Sequence, residues 1–108
     1  MSDEARAFVK SLDDAVRIRL GVSIRRTQNG ERGDWFRKMP GTPDIWEFRV
    51  DGPQHTYRLF AFWDKSGPEP TLLFCTHGLD KKTQKTPEKE IAKAEQMRKS
   101  YFAQKARN

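Results

Sequence analysis

Residues 44–63 of this chain, DIWEFRVDGPQHTYRLFAFW, alternate in a pattern that few folds can accommodate. Trp46, Phe48 and Val50 alternate with Ile45, Glu47 and Arg49. Tyr57, Leu59, Ala61 and Trp63 alternate with Arg58, Phe60 and Phe62. Period-two alternation of aromatic and β-branched residues predicts two strands. Asp51-Gly52-Pro53 supplies the turn chemistry between them, because Gly tolerates unusual φ and Pro fixes it. With Val50 set opposite Tyr57, the loop is 51–56, Phe48 meets Leu59 and Trp46 meets Ala61. One face is then wholly apolar. On the other, Arg49 falls opposite Arg58. Like charges placed directly opposite destabilise a sheet, unless solvent separates them or an anion sits between them. Both readings stay open at this point.

The rest of the chain supplies elements to cover that pair. Residues 2–12 predict a helix, with Ala5, Phe8, Val9 and Leu12 on one face. Asp13-Asp14 breaks it and starts a second helix over residues 14–28, whose stripe is Val16, Leu20, Ser23, Ile24 and Thr27. Asn29-Gly30 closes it. Helices joined this tightly are expected to form an antiparallel hairpin. Residues 30–43 read as an irregular loop, pinned to the core by Trp35, Phe36 and Met39. After a turn at 65–70, residues 71–77 predict a third strand. With Asp64 opposite Thr71, Phe62 meets Leu73, Phe60 meets Cys75 and Arg58 meets His77. Arg49, Arg58 and His77 then form one row across three strands, which favours the anion site. Residues 78–86 read as a polar, basic connector. Thr86 suits an N-cap and Pro87 the first helical position. The final helix is expected over 87–105, with Ile91, Ala94, Arg98 and Tyr101 facing inward.

A length of 108 residues bounds the chain to one domain, residues 1–108. Three Trp and seven Phe supply the large buried areas that a folded core needs, although a third of the residues are charged. Of the net charge of +6, most sits in residues 77–108, where nine Lys/Arg face four Asp/Glu; the rest of the chain holds twelve and eleven. Such asymmetry points to a polyanion or an acidic protein partner. The single cysteine, Cys75, lies in an apolar run and is expected to be a buried thiol. No apolar run reaches the length of a membrane span, and the first residues, MSDEARAF, lack a signal-peptide pattern. A cytoplasmic location is the expectation.

Two His and one Cys, without HxxxH or CxxC spacing, offer no metal site. No Gly-rich phosphate loop is present, and His55 and His77 build no Ser-His-Asp order. What remains is basic and aromatic. Trp46-Glu47-Phe48-Arg49, Tyr57-Arg58-Leu59-Phe60 and the run from His77-Gly78-Leu79-Asp80 through Lys81-Lys82-Thr83-Gln84-Lys85-Thr86-Pro87 resemble the RelE/HigB superfamily of bacterial toxins. The pattern is most similar to the superfamily's phage-derived HigB-like branch, and it covers about residues 5–101. The resemblance implies an α+β fold: an N-terminal helical hairpin packed on a small twisted antiparallel sheet, with a C-terminal helix. Many relatives begin with a short strand; this chain starts at its first helix, so the sheet is expected to lack an edge strand. The resemblance also implies an mRNA endonuclease that acts on the translating ribosome. A cognate antitoxin, commonly carrying a helix-turn-helix domain, neutralises it.

That chemistry needs no metal or cofactor. A deprotonated 2′-OH attacks the adjacent phosphate, and the enzyme supplies a base, an acid and cations for the developing charge. Arg58 suits transition-state stabilisation through its permanently charged, bidentate fork, and Arg49 shares the task. His77, with an ordinary pKa near neutrality, is the candidate acid or base. Lys81, Lys82 and Lys85 are expected to grip RNA phosphates, with Arg37 and Lys38 as further contacts. Glu47, on Arg49's face, is assigned to orient an arginine. The competing readings are a ParE-like toxin that poisons DNA gyrase by binding, and a degenerate member that binds only antitoxin or RNA.

Overall fold

The computed structural model describes residues 2–52, 55–81 and 86–107, with the side chains of residues 72–81 outside that description. Two helices, α1 (Asp3–Ser11) and α2 (Asp14–Gln28), precede four strands and a long final helix. The strands are β1 (Phe36–Lys38), β2 (Trp46–Asp51), β3 (Thr56–Asp64) and β4 (Thr71–Lys81), and the last helix is α3 (Glu88–Arg107). The strands form one sheet in the order β1-β2-β3-β4, each pair antiparallel. This is the expected α+β architecture.

The local chemistry explains the helix boundaries. Ser2 caps α1, its hydroxyl accepting from the Ala5 N–H at 3.1 Å, which satisfies one orphan donor of the first turn. Leu12 is extended and ends the helix. α1 packs over β4 and α2 over β2. Ala5, Leu12, Val16 and Leu20 are buried against Phe36, Phe48, Val50, Leu59 and Ala61, the apolar face read from the alternation. Burying a Val, Leu or Phe side chain in this way stabilises by roughly 1.5–3 kcal/mol.

On the opposite face α3 buries Ala94, with Ile91, Tyr101 and Phe102 packed against Met39, Ile45, Phe60 and Phe62. The far end of α3 is tied down by Asp64. Its carboxylate accepts from the Tyr101 hydroxyl at 2.7 Å and from Lys105 Nζ at 2.5 Å. Hydrogen bonds from Lys105, Ser66 and Tyr101 hold the Asp64 carboxyl well below the usual carboxylate range.

The β2–β3 register agrees with the alternation at every position, including Arg49 opposite Arg58. Asp64 opposite Thr71 and Phe62 opposite Leu73 also hold. Three expectations fail. Residues 36–38, read as loop, form β1 at one edge of the sheet; a three-residue strand is too short to display alternation. β4 continues to Lys81, so the first part of the expected connector is strand. Between Leu59 and Ala61 the register shifts. Phe60 alone on β3 spans the interval that residues 75–77 span on β4. Leu79, not His77, therefore lies opposite Arg58. Among the described residues, no helix is long and apolar enough to cross a membrane.

Candidate functional site

Residues directly opposite in an antiparallel pair share a face. Arg37 pairs with Glu47 and Arg49 with Arg58, so all four belong to the face that α3 covers. Lys38 pairs with Trp46 and belongs to the helical side. The structure thus separates Arg37 from Lys38, which the sequence grouped together.

Arg58 is not the solvent-facing arginine that the strand pattern suggests. It is 1% exposed, as is Glu47. Its NH1 donates to Glu47 Oε1 at 2.8 Å and to Thr86 Oγ1 at 2.9 Å. The Thr86 hydroxyl in turn donates to Glu47 Oε2 at 2.5 Å. Three side chains from β2, β3 and the approach to α3 close a charged ring in the interior. Thr86, expected to cap α3, has its hydroxyl committed to this ring. Desolvation offsets the Coulombic gain of a buried ion pair unless its polar atoms are bonded; the ring bonds both Glu47 oxygens and Arg58 NH1. Glu47 does orient an arginine, as its position implied, but the partner is Arg58.

Of the three strand arginines on this face, Arg37 and Arg49 reach the surface. Arg37 is exposed on the edge strand, and the Arg49 side chain retains 20% exposure. Arg49 Nε donates to Asp51 Oδ1 at 3.2 Å, and Thr56 Oγ1 donates to the same oxygen at 3.0 Å. Burial pulls the Asp51 carboxyl upward, but the hydrogen bonds from Thr56 and Arg49 outweigh it and hold it below its ordinary value. Asp51 is therefore a fixed anion that aims Arg49. Both arginines line an open cleft of about 450 Å³, together with Asp34, Trp35 and Asp51.

The wall of this cleft is rigid. Trp35 Nε1 donates to Thr27 Oγ1 at 2.9 Å, and Arg26 lies 4.2 Å from the indole centroid. The backbone of Gly33 lies against the ring: a Cβ there would fall 1.9 Å from it. The Arg49 N–H donates to the Trp35 carbonyl at 2.9 Å, which locks the cleft wall to β2.

The row expected across three strands is thus not assembled. Arg49 faces the cleft, Arg58 is buried, and His77 is displaced along β4. The side chains of His77, Lys81 and Cys75 lie outside the described residues, as do Lys82 and Lys85 altogether. The sequence alone marks neither Asp34 nor Trp35 as a site residue. The available signal was an aspartate and a tryptophan immediately before Phe36-Arg37-Lys38.

A family model described as "Phage derived protein Gp49-like (DUF891)" matches residues 7–99. No curated protein and no solved structure shows significant similarity to the chain.

Proposed function

Because the chain belongs to the phage-derived Gp49-like family, we propose that it is the toxin of a toxin–antitoxin pair and that it cleaves messenger RNA on the translating ribosome. The observation that carries the RNA reading is the pair of surface arginines, Arg37 and Arg49, beside an open cleft with a preformed wall. Guanidiniums on a rigid sheet suit a phosphodiester, since their forks bond two phosphate oxygens at once. The cationic excess of residues 77–108 adds a field that draws in a polyanion.

On this proposal Arg49, aimed by Asp51, stabilises the charge that develops on the scissile phosphate, and Arg37 holds a neighbouring phosphate. Arg58 acts through the fold: it fixes β2, β3 and Thr86 to one another. The 2′-OH is the nucleophile, His77 is assigned the proton transfer, and Lys81, Lys82 and Lys85 contact the RNA backbone. A cognate antitoxin with a helix-turn-helix domain would neutralise the activity. The test is single-turnover cleavage of mRNA on programmed ribosomes, with naked RNA alongside. Cleavage of the ribosomal substrate that falls roughly a hundredfold in Arg49→Ala supports the proposal. Intact mRNA at saturating wild-type protein rejects it.

Burial of Arg58 favours a second reading, an inhibitor that binds its target without cutting it. Binding to programmed ribosomes with unbroken mRNA would select that reading, and altered DNA supercoiling with intact mRNA would select a gyrase poison.

A further inference from the structure

The cleft beside Arg49 is not built for phosphate alone. A site for a bare anion would be lined by cations and N–H donors. This one is lined by two guanidiniums, Arg37 and Arg49, by two carboxylates, Asp34 and Asp51, and by Trp35. The two carboxylates differ. Asp51 is committed to Arg49 and Thr56. Asp34 is exposed at the rim. The fitting ligand carries an anion at one end and a paired set of N–H donors at the other. A cleft of about 450 Å³ is also of the size that holds one small organic ligand.

We propose that this cleft binds a single unstacked guanosine nucleotide of an RNA strand, with the phosphate on Arg37 and Arg49 and the guanine edge on the Asp34 carboxylate. The inference rests on the RNA reading above and adds the identity of the base. Among the four bases, guanine alone presents two adjacent donors, N1–H and the 2-amino group, spaced to meet both oxygens of one carboxylate. Uracil offers one donor between two acceptors. Adenine and cytosine place an acceptor beside their amino group, which a carboxylate repels. Recognition of splayed-out bases on their Watson–Crick edges, against aromatic walls, is the usual way proteins read single-stranded RNA. Trp35 lines the cleft and is already held by Thr27 and Arg26, so this side of the site needs little further ordering on binding.

The experiment is fluorescence anisotropy of the full-length protein with three labelled hexanucleotides: rUUUUUU, rUUGUUU and the same sequence with inosine in place of guanosine. Inosine keeps N1–H and lacks the 2-amino group. The expected result is that guanosine binds about tenfold tighter than uridine, the discrimination a bidentate pair confers, with inosine between them. Asp34→Asn should bind all three equally, because an amide presents one acceptor and one donor. If Asp34 acted only through its charge, the substitution would tighten all three and leave their ratios unchanged; that result overturns the proposal. Equal affinities in the wild-type protein overturn it as well, while leaving the RNA reading intact. Failure of folded protein to bind any of the three, and failure to bind or cut mRNA on ribosomes, removes the RNA reading itself.

Discussion

Replacing Arg58 by Ala should destabilise the fold rather than merely remove a charge. The substitution leaves the Glu47 carboxylate in the interior, where both residues have side chains with 0% exposure. It also deprives Thr86 of a donor at 2.9 Å. Breaking one side of a buried pair typically costs about 3–5 kcal/mol, because an uncompensated charge stays behind. A chain of 108 residues loses roughly 4–5 °C of Tm per kcal/mol, so the expected fall is about 15–20 °C. A solvent-facing arginine would move Tm by only about 2 °C, in line with the half kcal/mol typical of surface changes. The assay is thermal unfolding followed by far-ultraviolet circular dichroism at neutral pH. The double variant Glu47→Met/Arg58→Met provides the control: with both charges gone, most of the lost stability should return. A folded Arg58→Ala protein melting within 3 °C of wild type would refute the buried ring. So would a double variant no better than the single.

The remaining expectations concern separate places in the fold. Arg37→Ala should leave Tm within about 2 °C, because the residue is exposed on an edge strand, yet weaken RNA binding and flatten its salt dependence; an unchanged salt slope in the anisotropy assay would count against its phosphate contact. Gly33→Ala places a Cβ 1.9 Å from the Trp35 ring, an overpacking that costs about 1–3 kcal/mol and should appear as a lower Tm; an unshifted melt would mean that the indole moves freely. The Asp64 carboxyl is held below its ordinary value by Lys105, Ser66 and Tyr101. Its contribution is therefore present above the unfolded carboxylate pKa and lost as pH falls through the folded one. Asp64→Asn should lower stability at pH 7 and narrow the gap to wild type toward pH 2; parallel stability curves across that range would contradict the assignment.

Much of the fold was legible because the apolar face of β2 and β3 permits one register. Sliding either strand by one residue would turn Phe48 and Leu59 to the polar side. The helices were legible for a similar reason, since Val16 and Leu20 in α2, and Ile91, Ala94 and Tyr101 in α3, fall at helical spacing. What failed depended on pairing between distant segments. The shift opposite Phe60 leaves no mark on β4, where residues 71–77 read as an uninterrupted strand. β1 is too short to show a period and lies between glycines and prolines. Arg58 looked like a surface residue because nothing local reveals that Thr86 and the start of α3 fold over it. Glu47, diagonal to Arg58 across the β2–β3 pair, was the one clue. The site moved accordingly, from a row of Arg49, Arg58 and His77 to a cleft lined by Arg37 and Arg49.

The most direct test of the central claim is to express the chain without a partner in growing bacteria and map RNA 5′ ends across one transcript carried in two forms, with and without its start codon. The proposed ribosome-dependent cleavage predicts growth arrest with new ends confined to the translated form. Equal cutting of both forms, or arrest with both transcripts intact, would contradict it.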